Sequence, residues 1–257
     1  MNVLDRFLNY ITFDTTSDEA SPTVPSTAKQ TVLGEYLVEE LKAAGCKDAV
    51  MDQYGYVYGT LPATPGYENI PALGLIAHMD TAPAVSGTDV KAKIVTYEGA
   101  DIPLGNSAVL SAKAFPYLDR YLGQRLVVTD GTTLLGADDK AGIAEIVSAC
   151  EEMTANPHRP HRAVAVCFTP DEEIGRGADK FDFNRFPANV AYTVDGGELG
   201  EIEYENFNAA SALIQIHGVN IHPGSAKNKM KNAALFFVDY DTGTTEIYTP
   251  AHTEGYE

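Results

Sequence analysis

The sequence predicts an α/β fold: a largely parallel sheet with flanking helices, followed by the start of a smaller α+β domain. Three observations carry that prediction. Strand-like and helix-like periods alternate from the first residue to about residue 200. Three apolar runs, 72–77, 163–169 and 190–194, are continuous rather than alternating, the pattern of strands buried on both faces. Each run ends in a histidine or in carboxylates, and open α/β sheets bind ligands outside the carboxyl ends of their strands.

The elements follow in order. Leu4, Phe7, Leu8 and Ile11 fall at helical spacing and open the chain with a short amphipathic helix. Asp5 and Arg6 lie inside it, so the start lacks both the positive region and the uncharged core of a signal peptide. A longer helix runs to Ala44. Ser26 or Thr27 is its expected N-cap, Val32, Leu33, Tyr36, Leu37 and Leu41 form one face, and Gly45 stops it. A hairpin is expected around Tyr54-Gly55, and the strand ALGLIA follows over 72–77. Residues 84–124 are rich in turn formers and read as a long excursion with short strands. RLVV is a strand, TLLG a short strand or loop, and a helix runs from about 139 to 154. RAVAVCFT and VAYTV supply the last two strands of the sheet. From Ala209 the segment AASALIQIHGVN alternates like a strand of a separate, antiparallel sheet. That places a domain boundary near residue 208, giving domains over 1–208 and 209–257.

Composition narrows the function classes. A chain of 257 residues buries a sizeable core without needing disulfides to hold it. Cys46, Cys150 and Cys167 lie far apart with no CxxC spacing, which reads as reduced, structural thiols and a cytoplasmic location. No apolar run approaches the roughly 18–20 residues of a membrane span. The formal net charge of −18 argues against a nucleic-acid partner, whose phosphates it would repel, and is compatible with cation binding.

The chemistry-bearing residues gather at the strand ends: His78 and Asp80; Asp138 and Asp139 in GADDKAG; Asp171, Glu172 and Glu173 in TPDEE; and Asp195 in VDGG. Singly, each has an ordinary explanation. Asp138 or Asp139 could cap the following helix, the glutamates could sit on a solvated loop, and His78 could be a core histidine. Jointly they place one imidazole and seven carboxylates on one sheet edge. Like charges that close cannot all stay ionised unaided. One or two divalent metals resolve the repulsion, and histidine with carboxylates suits Zn²⁺, with Co²⁺ or Mn²⁺ as alternatives. Strand alternation sends His78 and Asp80 to one side, so the carboxylate can orient the imidazole or the metal's shell.

Five stretches, GLIAHMDTAP, TLLGADDKAGIAEI, FTPDEEIGRGA, AYTVDGGELGEIEYENFNAAS and HPGSAK, occur in this order and spacing. Together they resemble the tripeptide-aminopeptidase branch (peptidase T) of the M20 co-catalytic zinc metallopeptidases, from the first residues to about Ala234. The resemblance implies a zinc-exopeptidase-like catalytic domain over 1–208 and part of a lid or dimerisation domain over 209–257. It implies two zinc ions, with His78 and Asp195 on one, Glu173 on the other and Asp138 bridging them through a cis peptide to Asp139. Asp80 would orient His78, Glu172 would be the general base, and His222 would stabilise the tetrahedral oxyanion, across a homodimer interface in dimeric members. The implied substrates are short peptides, tripeptides above all. His158, His161, His217 and His252 match no family ligand.

The family chain is longer and supplies a final histidine ligand after the lid. The resemblance therefore implies a C-terminally truncated catalytic domain with a weakened second metal site. The stretch FFVDYDTGTTEIYTP departs from the family pattern. Two other readings stay open: an inactive fragment lacking the last ligand, and deacylation of N-acyl amino acids, against which ENFNAAS argues.

Overall fold

The computed structural model describes residues 1–105, 107–197, 199–204 and 215–231. Contacts divide the chain into a first unit, Met1–Glu201, and a second, Ile202–Glu257. The first unit is built on a five-stranded sheet with three helices on one of its faces.

Helix α1 (Val3–Tyr10) starts where the Asn2 side chain accepts the Asp5 N–H. Its Phe7 and Tyr10, with Ile11 beyond it, enter the core. Arg6, which sequence alone marks only as a charge, is buried there too. It contacts Glu40 at 2.9 Å, Ser148 Oγ at 2.8 Å and Glu151 at 3.2 Å, tying α1 to the two helices that follow. Removing one partner of such a pair strands the other in a poor dielectric. Arg6→Ala is expected to cost about 3 kcal/mol in urea unfolding, and a loss below about 1 kcal/mol, the range of an exposed pair, would show that the pair carries no such weight.

Helix α2 (Lys29–Ala43) buries Leu33, Leu37 and Leu41, at i, i+4 and i+8, while Val32 lies 100° round the helix from Leu33 and faces solvent. The expected hydroxyl cap is absent: the N-cap position is Ala28, with no side-chain hydrogen bond. The Thr27 hydroxyl donates to the Thr16 carbonyl and the Ser26 hydroxyl to Asp171, so tertiary partners have taken both candidates. Gly45 stops the helix at φ +113°, a conformation that favours glycine.

The hairpin forms as read, β1 (Val50–Met51) against β2 (Val57–Leu61). Strand β3 (Ala72–His78) carries the histidine as its last residue. The excursion holds β4 (Lys93–Thr96), which pairs antiparallel with β7 (Arg125–Val128) just beyond it, and the antiparallel pair β5 (Ile102–Gly105) with β6 (Ala108–Leu110). Helix α3 (Ala137–Ala155) follows, its first turn irregular: Asp138 and Asp139 have non-helical dihedrals and the peptide bond between them is cis. Strands β8 (Val164–Thr169) and β9 (Ala188–Thr193) complete the sheet, in the order β1-β2-β8-β3-β9.

Within it β8, β3 and β9 are parallel, while β2 runs antiparallel to β8, so the sheet is mixed. Strand β8 is buried throughout: Val164, Val166 and Phe168 face the helices, while Ala165 and Cys167 face a second cluster with Tyr56, Tyr58 and Phe186. Strand β9 departs from the expectation of burial on both faces. Among the described residues it pairs only with β3, and as an edge strand it leaves Val190 and Tyr192 exposed.

In the second unit a bridge pairs Val219 with Lys231 around a short turn at Pro223–Ser225. The alternating segment from Ala209, the 236–250 stretch and His252 lie largely or wholly outside the described residues. Cys46, Cys150 and Cys167 are free and buried. Among the described residues no helix is long and apolar enough to cross a membrane.

Candidate metal centre

Because β3, β8 and β9 are parallel, their C-terminal ends share one edge, and each delivers side chains to it. His78, buried at 2% exposure, is the hub. Its Nε2 lies 2.8 Å from Asp138 Oδ1, 3.7 Å from Asp195 Oδ2 and 3.8 Å from Glu172 Oε2. Its Nδ1 is 3.1 Å from the Asp80 carbonyl oxygen and 3.4 Å from the Asp80 carboxylate. Donor atoms of His78, Asp138 and Glu173 lie within 4.8 Å of one another, and so do those of His78, Asp139 and Asp195.

Asp80 does more than face His78. Fully buried, it accepts the backbone N–H of Glu172 at 2.9 Å on one oxygen and that of Glu173 at 3.2 Å on the other. One carboxylate thus ties the end of β3 to the acidic turn after β8. Asp139 plays the equivalent part on the other side: it accepts the His78 N–H at 3.1 Å and the Gly142 N–H at 3.2 Å. Sequence reading placed Asp139 at the edge without seeing that its oxygens serve the backbone, since that depends on α3 lying against β3. Asp171 is brought near in sequence only. Its carboxylate turns into the protein, where Ser26 and Gln30 bind it. His222 belongs to the second unit, where it is exposed and its Nδ1 accepts the Gly224 N–H at 3.2 Å.

The electrostatics follow from the crowding. Burial pulls the His78 pKa down, but hydrogen bonds to Asp138 and Asp80 and the fields of Asp80 and Asp139 outweigh it and hold the pKa up at about 11. Burial raises Asp139 to about 8, against the pull of His78. Glu172, Glu173 and Asp195 are all raised, by burial first and then by mutual repulsion only partly offset by His78. Asp138, hydrogen-bonded to His78, is lowered. Beneath the edge the Lys140 ammonium, buried, donates to the Phe13 carbonyl at 2.7 Å; burial lowers its pKa to about 8 although Asp14 and Asp80 oppose the shift. Such a set favours an added positive charge, and one imidazole among several convergent carboxylates is donor chemistry that fits a divalent cation.

A cavity of about 370 Å³ opens beside His78 and Glu172, lined among others by Ile76, Thr169, Gly177 and Phe181. A side chain on Gly177 would come within 3.2–3.5 Å of the Glu172 backbone and stem, so this glycine lets the turn fold tightly against the glutamate.

Comparison with known proteins bears on this edge. Residues 128–212, which carry Asp138, Glu172, Glu173 and Asp195, match the family model described as Peptidase family M20/M25/M40. Among curated relatives, a protein named Peptidase T from Halothermothrix orenii is 54% identical over 258 residues, covering 99% of this chain and 63% of the relative. One of the same name from Desulfitobacterium hafniense is 56% identical over 259 residues, covering 100% of this chain and 63% of the relative. These alignments run past Ala234 and through the stretch that sequence reading set apart from the family. The chain spans about 63% of the length of the curated relatives it matches. Among solved structures, aminopeptidase PepT from Bacillus cereus superposes with a TM-score of 0.57 at 23% identity, covering 91% of this chain and 54% of that one. A tripeptidase from Staphylococcus aureus gives 0.52, also at 23% identity, covering 77% and 43%. The two structures show the shared fold, and identity that averages above one half over nearly the whole chain makes it similar to the relatives named Peptidase T, with the M20/M25/M40 match confined to residues 128–212.

Proposed function

We propose that this chain carries the metal edge of a tripeptide aminopeptidase, releasing the N-terminal residue of short peptides. The observation that supports it most is the convergence on one sheet edge of His78, Asp138, Glu173 and Asp195, with Glu172 beside them and Asp80 holding the turn. In this reading His78 and Asp195 would hold one zinc ion and Glu173 the other, with Asp138 a ligand they would share. A bound zinc supplies Lewis acidity, lowering the pKa of water and polarising a peptide carbonyl. Glu172 then accepts a proton from the attacking water and returns it to the departing amine. Its carboxylate oxygen lies 3.8 Å from His78 Nε2, and Glu172 lines the adjacent cavity. The adjacent cavity has room for one substrate side chain. His222 as oxyanion donor and a homodimer through the second unit rest on the family resemblance, and a cytoplasmic location rests on the free, buried cysteines. The domain division proposed from sequence, 1–208 and 209–257, belongs to the same reading.

The test is hydrolysis of a tripeptide and of its N-acetyl form by the zinc-supplemented 257-residue chain. Release of the N-terminal residue from the free tripeptide alone, abolished by a chelator, is expected. Cleavage of the acetylated form would favour a deacylase, and a folded, zinc-bearing chain without turnover would favour an inactive relative.

A further inference from the structure

Asp171 precedes the proposed general base, yet its carboxylate points away from the metal edge and is wholly enclosed. Its Oδ2 accepts the Ser26 N–H at 2.7 Å; its Oδ1 accepts the Ser26 hydroxyl at 2.5 Å and the Gln30 side-chain amide at 2.7 Å. Gln30 Oε1 in return accepts the Asp171 N–H at 3.2 Å, so side chain and backbone are both gripped. A second tie runs alongside: the Arg176 N–H donates to the Asp171 carbonyl, and the Arg176 guanidinium donates to the Ser21 and Thr23 carbonyls.

Asp171 also has φ of +57°, a left-handed backbone that a residue with a side chain adopts only when its surroundings enforce it. That reversal turns the chain after Pro170 so that the next two N–H groups, those of Glu172 and Glu173, meet the two oxygens of Asp80. The acidic turn is therefore held from opposite sides: by Asp80 on the metal edge, and by Ser26 and Gln30 at the start of α2.

We propose that Asp171 is a positioning residue: with Ser26 and Gln30 it forms a latch that sets where the Glu172 and Glu173 carboxylates stand. The latch thereby sets the affinity for the metal that Glu173 holds. This rests on the metal reading above, and it gives the segment between α1 and α2 a part in the site that no ligand motif assigns.

Zinc titration calorimetry on the metal-free chain tests it, together with the visible absorption of the cobalt-substituted chain. Ser26→Ala and Gln30→Ala each remove latch bonds while leaving the carboxylate in place, and Ser26→Thr keeps the hydroxyl. Loss of such supporting hydrogen bonds lowers metal affinity by about 10- to 100-fold. The expected result is that Ser26→Ala and Gln30→Ala stay folded, lose about tenfold or more on the weaker zinc step only, whatever their melting temperatures, and shift the cobalt spectrum. Ser26→Thr should restore both. Asp171→Asn should show the largest loss. An unchanged weaker step in Ser26→Ala and Gln30→Ala overturns the latch. Equal losses on both steps that track melting temperature also overturn it, since they would mark a purely structural contact. A wild-type chain that binds no zinc would overturn the metal reading itself, and the latch with it.

Discussion

Glu172→Gln is expected to bind metal as the wild type does and to lose turnover by about 10²- to 10⁴-fold, the usual contribution of a positioned acid–base group. The substitution keeps the size of the side chain. It also leaves untouched the backbone N–H by which residue 172 reaches Asp80, so the turn should keep its shape. What it removes is the ability to take a proton. In the metal-free chain burial raises the Glu172 pKa, and Asp195, Asp80 and Asp138 add to that rise against the pull of His78. A bound cation acts in the opposite sense, so the carboxylate is ionised when it is needed. Zinc content by mass spectrometry and turnover on one tripeptide, read on the same preparation, decide the matter. Equal turnover in the two proteins would sink the assignment of the base, and loss of zinc in the variant would make Glu172 a ligand instead.

The second large effect comes from a residue without a side chain. Gly142 lies in the second turn of α3, where a Cβ would overlap the Val194 carbonyl oxygen and Asp139 Oδ1. Neither neighbour is the free end of a flexible chain. One is the backbone just before Asp195, and the other is a carboxylate already accepting the His78 and Gly142 N–H groups. Two effects compete in Gly142→Ala. Alanine is the better helix former by about 1 kcal/mol, whereas overpacking costs typically 1–3 kcal/mol and more when backbone must move. The overlap here is deep, so the clash wins, with a net loss of about 3 kcal/mol. To relieve it, either α3 lifts from β3 or the end of β9 moves outward. The first shift separates Asp139 from His78, and the second separates Asp195 from it. The variant should therefore melt lower and bind zinc more weakly, and it should do both together. A Gly142→Ala chain with wild-type stability and full zinc affinity would show that the close packing of α3 on the strand ends has no part in building the site.

Much of this was legible in one dimension, and the reasons are local. Helical spacing located α1 and the buried stripe of α2, because 3.6-residue periodicity survives whatever the helix packs against. Continuous apolar runs located β3 and β8, and Tyr54-Gly55 located the hairpin, because turn chemistry and two-sided burial leave marks on composition. The chemical set could also be read, since several strands ending in a histidine or carboxylates together have few structural reasons to do so. Of the four residues named from sequence as metal ligands, three (Asp138, Glu173 and Asp195) lie around the fourth, His78.

Other features have no local signal. Ser26 reads as a helix cap on propensity, yet its hydroxyl goes to Asp171, 145 residues away in sequence. Arg6 is marked in sequence only as a charge within the first helix, but the packing of α1 on α2 and α3 buries it among carboxylates that no sequence window contains. The exposure of β9 depends on where it falls in the strand order, which hydrophobicity does not encode. The sequence by itself determined where the main helices and strands form and which side chains make up the candidate set, since both follow from short-range periodicity and residue type. Tertiary structure alone decided how the sheet is ordered, which acids face His78 and which serve the backbone. Those outcomes depend on contacts between segments 60 to 145 residues apart, and only the assembled core brings such segments within hydrogen-bonding distance.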